Sequence, residues 1–411
     1  MSLSDSLLYS PKPSAVSGHK YRQNLPTYNK SDFLPGEVMM LNIPCGRRGQ
    51  FLNQRMSYLK FKVSNTGSTG FPISVDYSAS SLIQRLEVYH SSNLLEQIAE
   101  YNVLHAMWLD MTGNTSSLQS SGSILEGTVG TTRSADPIPP GESRVYCIPL
   151  LSGIIGTLQN KYLPCGDMTG GDMRVELTLA NAADGVVGAG AATTPNTYKI
   201  TECELMLEYV ELNSEAARMI SQQNSSGYAI SFDSFANFGS TIGSSSTNCN
   251  VLIPARYSSL KTLFTVFRDQ SNIGKKLEKT ISERYNFFGD AGQWYFSIGG
   301  KNVPTTPVKG NVEAFAELSK AIHVFGTIEH SSMVDYTDWT SASQSSYIAA
   351  VDLETVAHKS KLTESGINTL NANTHFIGQW TTTGIPDMRV DTFAHYDGIL
   401  LIQNGVASVQ F

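Results

Sequence analysis

Residues 41–63, LNIPCGRRGQFLNQRMSYLKFKV, contain an Ile-Pro pair, a glycine-rich turn and a run in which apolar and polar residues alternate. Alternation of this kind is typical of a β-strand with one buried face, here offering Met56, Tyr58 or Leu59, Phe61 and Val63. The same order returns in residues 250–267, NVLIPARYSSLKTLFTVF. The two Ile-Pro pairs begin at positions 43 and 253, which are 210 positions apart. This echo suggests that one β-rich module occurs twice.

A change from strand to helix periodicity also occurs twice. Residues 82–111, LIQRLEVYHSSNLLEQIAEYNVLHAMWLDM, alternate at first and then take helical spacing, so we expect a helix that begins near Leu94. A strand before NVEAFAELSKAIHVF (311–325) leads into a second predicted helix, with Val312 and Phe315 on its apolar face. These starts, 94 and 311, are 217 positions apart, close to the offset of the Ile-Pro pairs. Together they predict a duplicated domain rather than a short-period solenoid.

The segment between the two copies, SEAARMISQQNSSG, is a possible short helix followed by a polar turn. The prediction for the chain is therefore an extended arm at 1–35, a first domain at 36–213, a linker at 214–227 and a second domain at 228–411. Many short strands separated by turn residues predict an all-β sandwich or jelly roll in each copy. Each helix is expected to cap an end or edge of its sandwich, with contact to a neighbouring subunit as the alternative.

Composition excludes several classes of protein. The chain has 411 residues, 41% of them hydrophobic, and a formal net charge of −7, so we expect real cores and no sequence-specific nucleic-acid binding. No apolar run is long enough to span a bilayer, and the first residues do not resemble a secretory signal. The five cysteines are odd in number and widely spaced, which favours reduced thiols in a cytosol-like compartment.

A search for chemistry identifies few candidates. His395 lies two positions from Asp397, and such a pair can orient a general base, but a hydrogen-bonded histidine at a strand end is the more ordinary interpretation. His323 and His330 have a spacing that suits metal ligation on neither a helix nor a strand. We expect Glu96 and Glu100 to lie one turn apart on the solvent face of the first helix. We therefore predict no catalytic, cofactor-binding or metal-ligating residues and no cofactor, and we do not expect the chain to be an enzyme.

Three segments resemble a known family: SASSLIQRLEVYHSSNLLEQIAEYNVL (78–104), CIPLLSGIIGTLQNKYLPCGDM (147–168) and YFSIGGKNVPTTPVKGNVEAFAELSKA (295–321). They are similar to the major capsid proteins of small DNA viruses, of the polinton-like virus, adintovirus and virophage type. More remotely they resemble the capsid proteins of large nucleocytoplasmic DNA viruses and adenovirus hexon. The resemblance implies two tandem eight-stranded jelly rolls, a double jelly roll, each with a short accessory helix.

The resemblance also implies a structural function. Such proteins form pseudo-hexameric homotrimeric capsomers that tile an icosahedral virion capsid, so the expected partners are the chain itself, neighbouring capsomers, a separate vertex (penton) protein and minor capsid proteins. Assembly is expected inside the host cell, with the arm lying under the shell or binding a neighbouring subunit. The sequence does not decide whether a membrane lies beneath the shell.

One alternative is a carbohydrate-binding or carbohydrate-active β-sandwich protein, which would expose aromatic residues in a groove. Against it, we expect Trp108, Trp294, Trp339 and Trp380 in the core or as helix anchors. Another alternative is a non-viral scaffold with one larger β-domain.

Overall fold

The computed structural model of the chain describes residues 18–67, 70–129, 134–159, 161–188, 197–274, 279–326, 332–355 and 365–411. Within them, no helix has both the length and the apolar composition needed to cross a bilayer.

The described part of the first half contains thirteen strands, nine of them in two principal sheets and four in two small two-stranded sheets. They are β1 (Gly18–Pro26), β2 (Asp32–Phe33), β3 (Val38–Ile43), β4 (Gln50–Asn65), β5 (Ile73–Val75), β6 (Ile83–His90), β7 (Asn93–Ala99), β8 (Thr128–Val129), β9 (Ser134–Ala135), β10 (Ser143–Ile148), β11 (Met173–Leu179), β12 (Val186–Gly188) and β13 (Tyr198–Leu212). One sheet has the order β1-β13-β4-β10, with β2 beside β13, and the other has the order β3-β11-β6-β7. Every second residue of β11 is buried, as expected for a sheet packed on a second layer.

The second half repeats this arrangement. Its strands are β14 (Tyr228–Ile242), β15 (Asn248–Ile253), β16 (Leu260–Asp269), β17 (Gln293–Ile298), β18 (Lys301–Lys309), β19 (Ala349–Asp352), β20 (Thr374–Gln379), β21 (Met388–Gln403) and β22 (Val406–Gln410). One sheet has the order β14-β21-β16-β19, with β22 beside β21, and the other has the order β15-β20-β17-β18.

The two halves share one topology. In each, eight strands taken in chain order form sheets with the order 1-8-3-6 and 2-7-4-5; the first set is β1, β3, β4, β6, β7, β10, β11 and β13, and the second is β14 to β21. The first four strands of the two sets start at 18 and 228, 38 and 248, 50 and 260, and 83 and 293, each pair 210 positions apart. The predicted duplication of an eight-stranded sandwich is confirmed.

The helices are mostly short. They are α1 (Tyr101–Thr112), α2 (Thr115–Ser117), α3 (Ser123–Leu125), α4 (Ala182–Gly185), α5 (Ser214–Gln223), α6 (Gly310–Ala321) and α7 (Tyr336–Thr340), with 3₁₀ turns at Ala79–Leu82 and Cys165–Asp167 and a π-helical turn at Leu118–Gly122. The long helices α1 and α6 follow corresponding strands, β7 and β18, in the two sandwiches.

The prediction for the first helix was wrong in its first half. Residues Asn93–Ala99 form β7, which pairs with β6, and the helix begins only at Tyr101. The apolar residues of this segment fit either periodicity, and pairing with β6 decides for the strand because it satisfies the backbone groups of both. With the corrected start, α1 and α6 begin 209 positions apart, at 101 and 310, in closer agreement with the strand offset.

The second helix, predicted over residues 311–325, begins as expected but ends at Ala321, and its buried face differs from the predicted one. Ala314, Leu318 and Ala321 are buried and α6 packs on β19, whereas Val312 is 78% exposed. The helix therefore covers the edge of its own sandwich, and one apolar side chain points away from it.

Two further expectations differ from the structure. Leu59, Phe61 and Val63 are buried as predicted, but Met56 is exposed, because the register between β13 and β4 shifts at this point of the strand. Within the segment expected to be an arm, residues 18–26 form β1, which pairs along its whole length with β13. Pairing covers an edge of β13 that would otherwise be open to another chain. Residues 1–17 of the predicted arm lie outside the described residues.

A pair of truncations tests the role of β1. Removal of residues 1–26 deletes the strand and its buried Leu25, so we expect the free energy of unfolding to fall by at least about 2 kcal/mol, with increased aggregation through the opened edge. Removal of residues 1–17 alone retains β1 and serves as the matched control. The measurement is urea denaturation with light scattering, and equal stability of the two truncations would contradict the structural role of β1.

Candidate functional site: the contact between the two sandwiches

Several carboxylates of the first sandwich accept hydrogen bonds from the second sandwich. Asp167 accepts from the Tyr228 hydroxyl and Asp184 from the Gly274 amide, and four others lie deeper in the contact. These four are Asp76, Glu96, Glu100 and Asp110. A charged group that leaves water needs compensating partners, and here each finds them across the contact.

The most deeply buried pair joins α1 to the second sandwich. Asp110 and Arg284 are both fully buried, and the guanidinium Nη2 of Arg284 donates to the Asp110 carboxylate. The backbone of Arg284 is held by two hydrogen bonds with Ser345, of 2.8 and 2.7 Å. The arginine is thus fixed to its own sandwich while its charge is neutralised by the other.

A four-membered charge network surrounds Glu100. This residue precedes α1 in a left-handed conformation (φ 49°), and its two oxygens accept from Arg268 and Arg389, each at 2.9 Å. Both arginines also bind Asp391. Burial disfavours the charged form of Asp391, but the charges of Arg268 and Arg389 outweigh it and hold its pKa below the ordinary value. Two cations and two anions therefore form a nearly neutral group at the contact.

Hydroxyl and backbone groups, rather than cations, donate to the other two carboxylates. Glu96 accepts from the Ser234 hydroxyl at 2.5 Å, from the Gly153 amide at 2.9 Å and from the Ser152 hydroxyl. Asp76 accepts from the Ser282 hydroxyl at 2.5 Å and the Ile281 amide at 3.0 Å. Burial raises the pKa of both carboxyls. The predicted solvent positions of Glu96 and Glu100 were wrong. Strand β7 turns Glu96 into the contact, and Glu100, which precedes α1, meets Arg268 and Arg389 there.

Backbone from the two sandwiches also approaches closely. A Cβ atom added to Gly153 would lie 2.1 Å from the Asp233 carbonyl oxygen, so only glycine fits there. Buried His90 also contacts β22 near the C-terminus of the chain. Its Nε2 lies 3.0 Å from the Gly171 carbonyl oxygen, and its Nδ1 accepts a hydrogen bond from the Ala407 amide at 3.1 Å. Burial lowers the pKa of His90, which agrees with a neutral ring that donates from Nε2.

The histidines singled out in the sequence have other partners. His395 stacks on Phe235 with ring centroids 4.7 Å apart, and the carboxylate paired with it is that of Asp233, at 3.8 Å. Asp397 instead accepts from Ser259 at 2.7 Å. His323 lies beside Asp352 and Glu354, a grouping that the sequence did not indicate, and His330 lies outside the described residues.

The tryptophans are placed as predicted. Trp294, Trp339 and Trp380 are buried, and Trp108 packs edge-on against Phe235 of the second sandwich with ring centroids 5.7 Å apart. Trp339 also lines a cavity with Phe315 and the exposed Tyr336, and Trp380 borders a second, more polar one. The five cysteines are free thiols.

A second buried titratable pair lies inside the first sandwich. Nε2 of His105 on α1 is 3.9 Å from Oε2 of Glu126. Burial lowers the pKa of His105 to about 4 and raises the pKa of Glu126 to about 7. Both groups are therefore neutral in the fold between these values.

Comparison with known proteins gives a result at the level of structure. No protein-family model matches the sequence, and no curated protein sequence matches it. Solved structures match over nearly the whole chain. The crystal structure of PBCV-1 VP54, fitted into a cryo-EM reconstruction of the virophage Sputnik, has a TM-score of 0.66 at 12% identity and covers 98% of both chains.

The mavirus major capsid protein has a TM-score of 0.57 at 8% identity and covers 100% of this chain and 93% of its own. The Faustovirus major capsid protein has a TM-score of 0.58 at 9% identity and covers 96% and 92%. The chain is therefore a double jelly-roll protein, and the fold predicted from the sequence is confirmed. The proteins whose fold it shares in this way are viral major capsid proteins.

Replacement of the buried arginine tests the contact. Arg284→Met removes the cation beside Asp110, so we expect the free energy of unfolding to fall by about 3–5 kcal/mol. The double variant Arg284→Met/Asp110→Leu removes both charges and is expected to recover a large part of this loss. Urea denaturation measures both, and a double variant no more stable than the single one would contradict the charge-pair explanation.

A pH series tests Glu126. The pKa of Glu126 is higher in the folded state, so its contribution to stability is full below about pH 4.5 and is lost as the pH rises towards 7. The pKa of His105 is lower in the folded state, so its contribution to stability is lost as the pH falls from 6.5 to 4. In Glu126→Gln only the His105 effect remains. We expect the stability of this variant relative to wild type to increase by up to about 3 kcal/mol between pH 4.5 and 7.5.

The control for this series is Glu142→Gln, which alters an exposed carboxylate. The free energy of unfolding of wild type and of Glu126→Gln is plotted against pH. Two plots that stay parallel across the pH range would show that Glu126 has the same pKa in the folded and the unfolded chain, which would contradict the prediction.

Proposed function

We propose that this chain is a viral major capsid protein that forms homotrimeric capsomers, which tile an icosahedral shell. The observation that carries the proposal is the complete double jelly roll, shared over 92% or more of both chains with proteins described as viral major capsid proteins. The proposed role is structural rather than catalytic.

The geometry gives a physical reason for threefold assembly. Two sandwiches of one topology stand in one chain, joined by buried ion pairs. A threefold axis would multiply them to six similar edges, so that one set of contacts could pave a nearly flat surface. Six quasi-equivalent sandwiches would give each capsomer a pseudo-hexagonal outline.

Contacts between copies need apolar surface, and the described surface offers some. Several large apolar side chains are more than half exposed in the single chain: Tyr28, Leu34, Met56, Ile124, Met219, Leu252, Val312, Phe325 and Tyr336. Exposed apolar area of this kind is used in protein–protein contacts.

We further propose that the chain divides into domains near the predicted boundaries. The proposed first domain covers 36–213 together with β1, and the second covers 228–411. Support comes from the sheets, which take their strands from one side of α5 only, and from the Asn213 side chain, which caps α5 by accepting from the Ala216 amide at 2.8 Å. The segment ahead of β1 is then a short arm available for contacts with a neighbour or the inner side of the shell.

Further partners follow from the same proposal. A flat trimeric tile cannot fill a fivefold vertex, so a separate penton protein is required, together with minor proteins at the joints between tiles. The site of action is the virion capsid, with assembly inside the host cell.

The proposal is tested by the mass and shape of the purified protein. We expect light scattering after size-exclusion chromatography to give about three times the chain mass of 44.7 kDa, and negative-stain images to show pseudo-hexagonal particles. A chain that stays monomeric at high concentration and binds immobilised glycans would overturn the proposal in favour of the carbohydrate-binding alternative.

A further inference from the structure

A histidine and two carboxylates converge where α6 meets β19. His323 follows the end of α6, Asp352 is the last residue of β19, and Glu354 lies two positions further on. Their candidate ligand atoms all lie within 4.8 Å of one another, and Nε2 of His323 is 3.1 Å from Oε2 of Glu354. These side chains come from two separate elements that the packing of α6 on β19 holds together.

The carboxylates of this group are held in place from behind. One oxygen of Asp352, Oδ1, accepts from the Glu354 amide at 3.0 Å. The other carboxylate, that of Glu354, accepts through Oε1 from the Ser365 hydroxyl at 2.8 Å and lies 3.3 Å from Nζ of Lys261. The Glu354 oxygen nearest to His323 is therefore Oε2, not the one that Lys261 and Ser365 bind.

The surroundings of the group carry an excess of negative charge. Nζ of Lys261 lies 3.3 Å from Asp233 and 3.5 Å from Asp397 as well as beside Glu354, so one ammonium faces three carboxylates. Asp352 places a further carboxylate within 4.8 Å of Glu354. Apart from Lys261, His395 lies 3.8 Å from Asp233, so a cation bound between Asp352 and Glu354 would add positive charge where the carboxylates outnumber these two groups.

We propose that His323, Asp352 and Glu354 form a binding site for a divalent transition-metal ion of the Zn²⁺ class, with water in the fourth position. One imidazole and two carboxylates suit such an ion, whereas Ca²⁺ takes six to eight oxygen ligands and Mg²⁺ retains most of its waters. Zinc binds nitrogen and oxygen at about 2.0–2.2 Å, so ligand atoms around one ion lie roughly 3.3 Å apart. The 3.1 Å separation of the His323 and Glu354 atoms already fits this geometry.

The bound ion would join the end of α6 to the end of β19. It would add a contact between helix and sheet on the outer edge of the second sandwich, and it would stabilise the folded chain by binding only where the three ligands converge. This inference does not depend on the proposed capsid function, because the three ligands belong to a single sandwich.

Titration of the full-length chain with zinc tests the site. Protein treated with a chelator and then dialysed, in the presence of a non-thiol reductant, is titrated with Zn²⁺ by calorimetry. We expect one ion per chain with a Kd in the micromolar range or tighter, and a rise in Tm. Co²⁺ as a second probe is expected to give d–d absorption without thiolate charge-transfer bands, which excludes binding by the free cysteines.

Two variants and a matched control locate the ion. His323→Asn suits the left-handed backbone at this position (φ 58°), because asparagine tolerates that conformation, and it removes the imidazole ligand. His323→Asn and Asp352→Asn are each expected to weaken zinc binding at least tenfold and to abolish the rise in Tm. His375→Asn changes another histidine of the same sandwich, hydrogen-bonded to Asn250, and is expected to bind zinc as wild type does.

The outcomes separate the site from an ordinary ion pair. Wild-type protein that binds no zinc, or His323→Asn that binds it as tightly as wild type, would overturn the proposal and leave His323 and Glu354 as a simple pair. Circular dichroism and the Tm of each metal-free variant show whether the chain has folded, and Asp352→Asn decides the question if His323→Asn has not.

Discussion

The contact between the two sandwiches depends on buried charge. Asp110 and Arg284 have no access to solvent, and Glu100 is placed between Arg268 and Arg389. A charge that has lost its water is tolerated only in the geometry that provides its partner, so movement of one sandwich relative to the other would leave several charges uncompensated. Gly153 adds a steric condition, because its missing side chain allows the Asp233 carbonyl oxygen of the other sandwich to approach.

This constraint bears directly on the proposed assembly. A tile with six similar edges requires the two sandwiches of each chain to keep a constant angle, since an error there would be multiplied by the threefold axis. Ion pairs provide directional contacts in a way that apolar packing does not, because hydrophobic burial is non-directional. Helices α1 and α6 occupy corresponding places in the two sandwiches but make different contacts. Helix α1 brings Asp110 into the contact between the sandwiches, whereas α6 packs on β19 and exposes Val312.

The expectations that differed from the structure have a common cause. Leu94, Leu95 and Ile98 fit a helix as well as a strand, and only pairing with β6 decides between them. Residues 18–26 are polar and extended, and their place in the sheet follows from the free edge of β13, whose paired residues lie 178 to 194 positions away in the sequence. Met56 is exposed because of an irregular register between distant strands. Each depends on a partner that no local window contains.

The sequence by itself determined the all-β class, the duplication and the position of α6, because alternation, helical spacing and the 210-residue echo are local patterns that repeat. Only the tertiary structure decided which polar residues are important. Glu96, Asp110, Arg284 and the group around His323 carry no recognisable spacing, since their partners lie from 29 to 174 positions away. Burial and charge pairing arise from the meeting of distant surfaces, and this information exists only once the chain has folded.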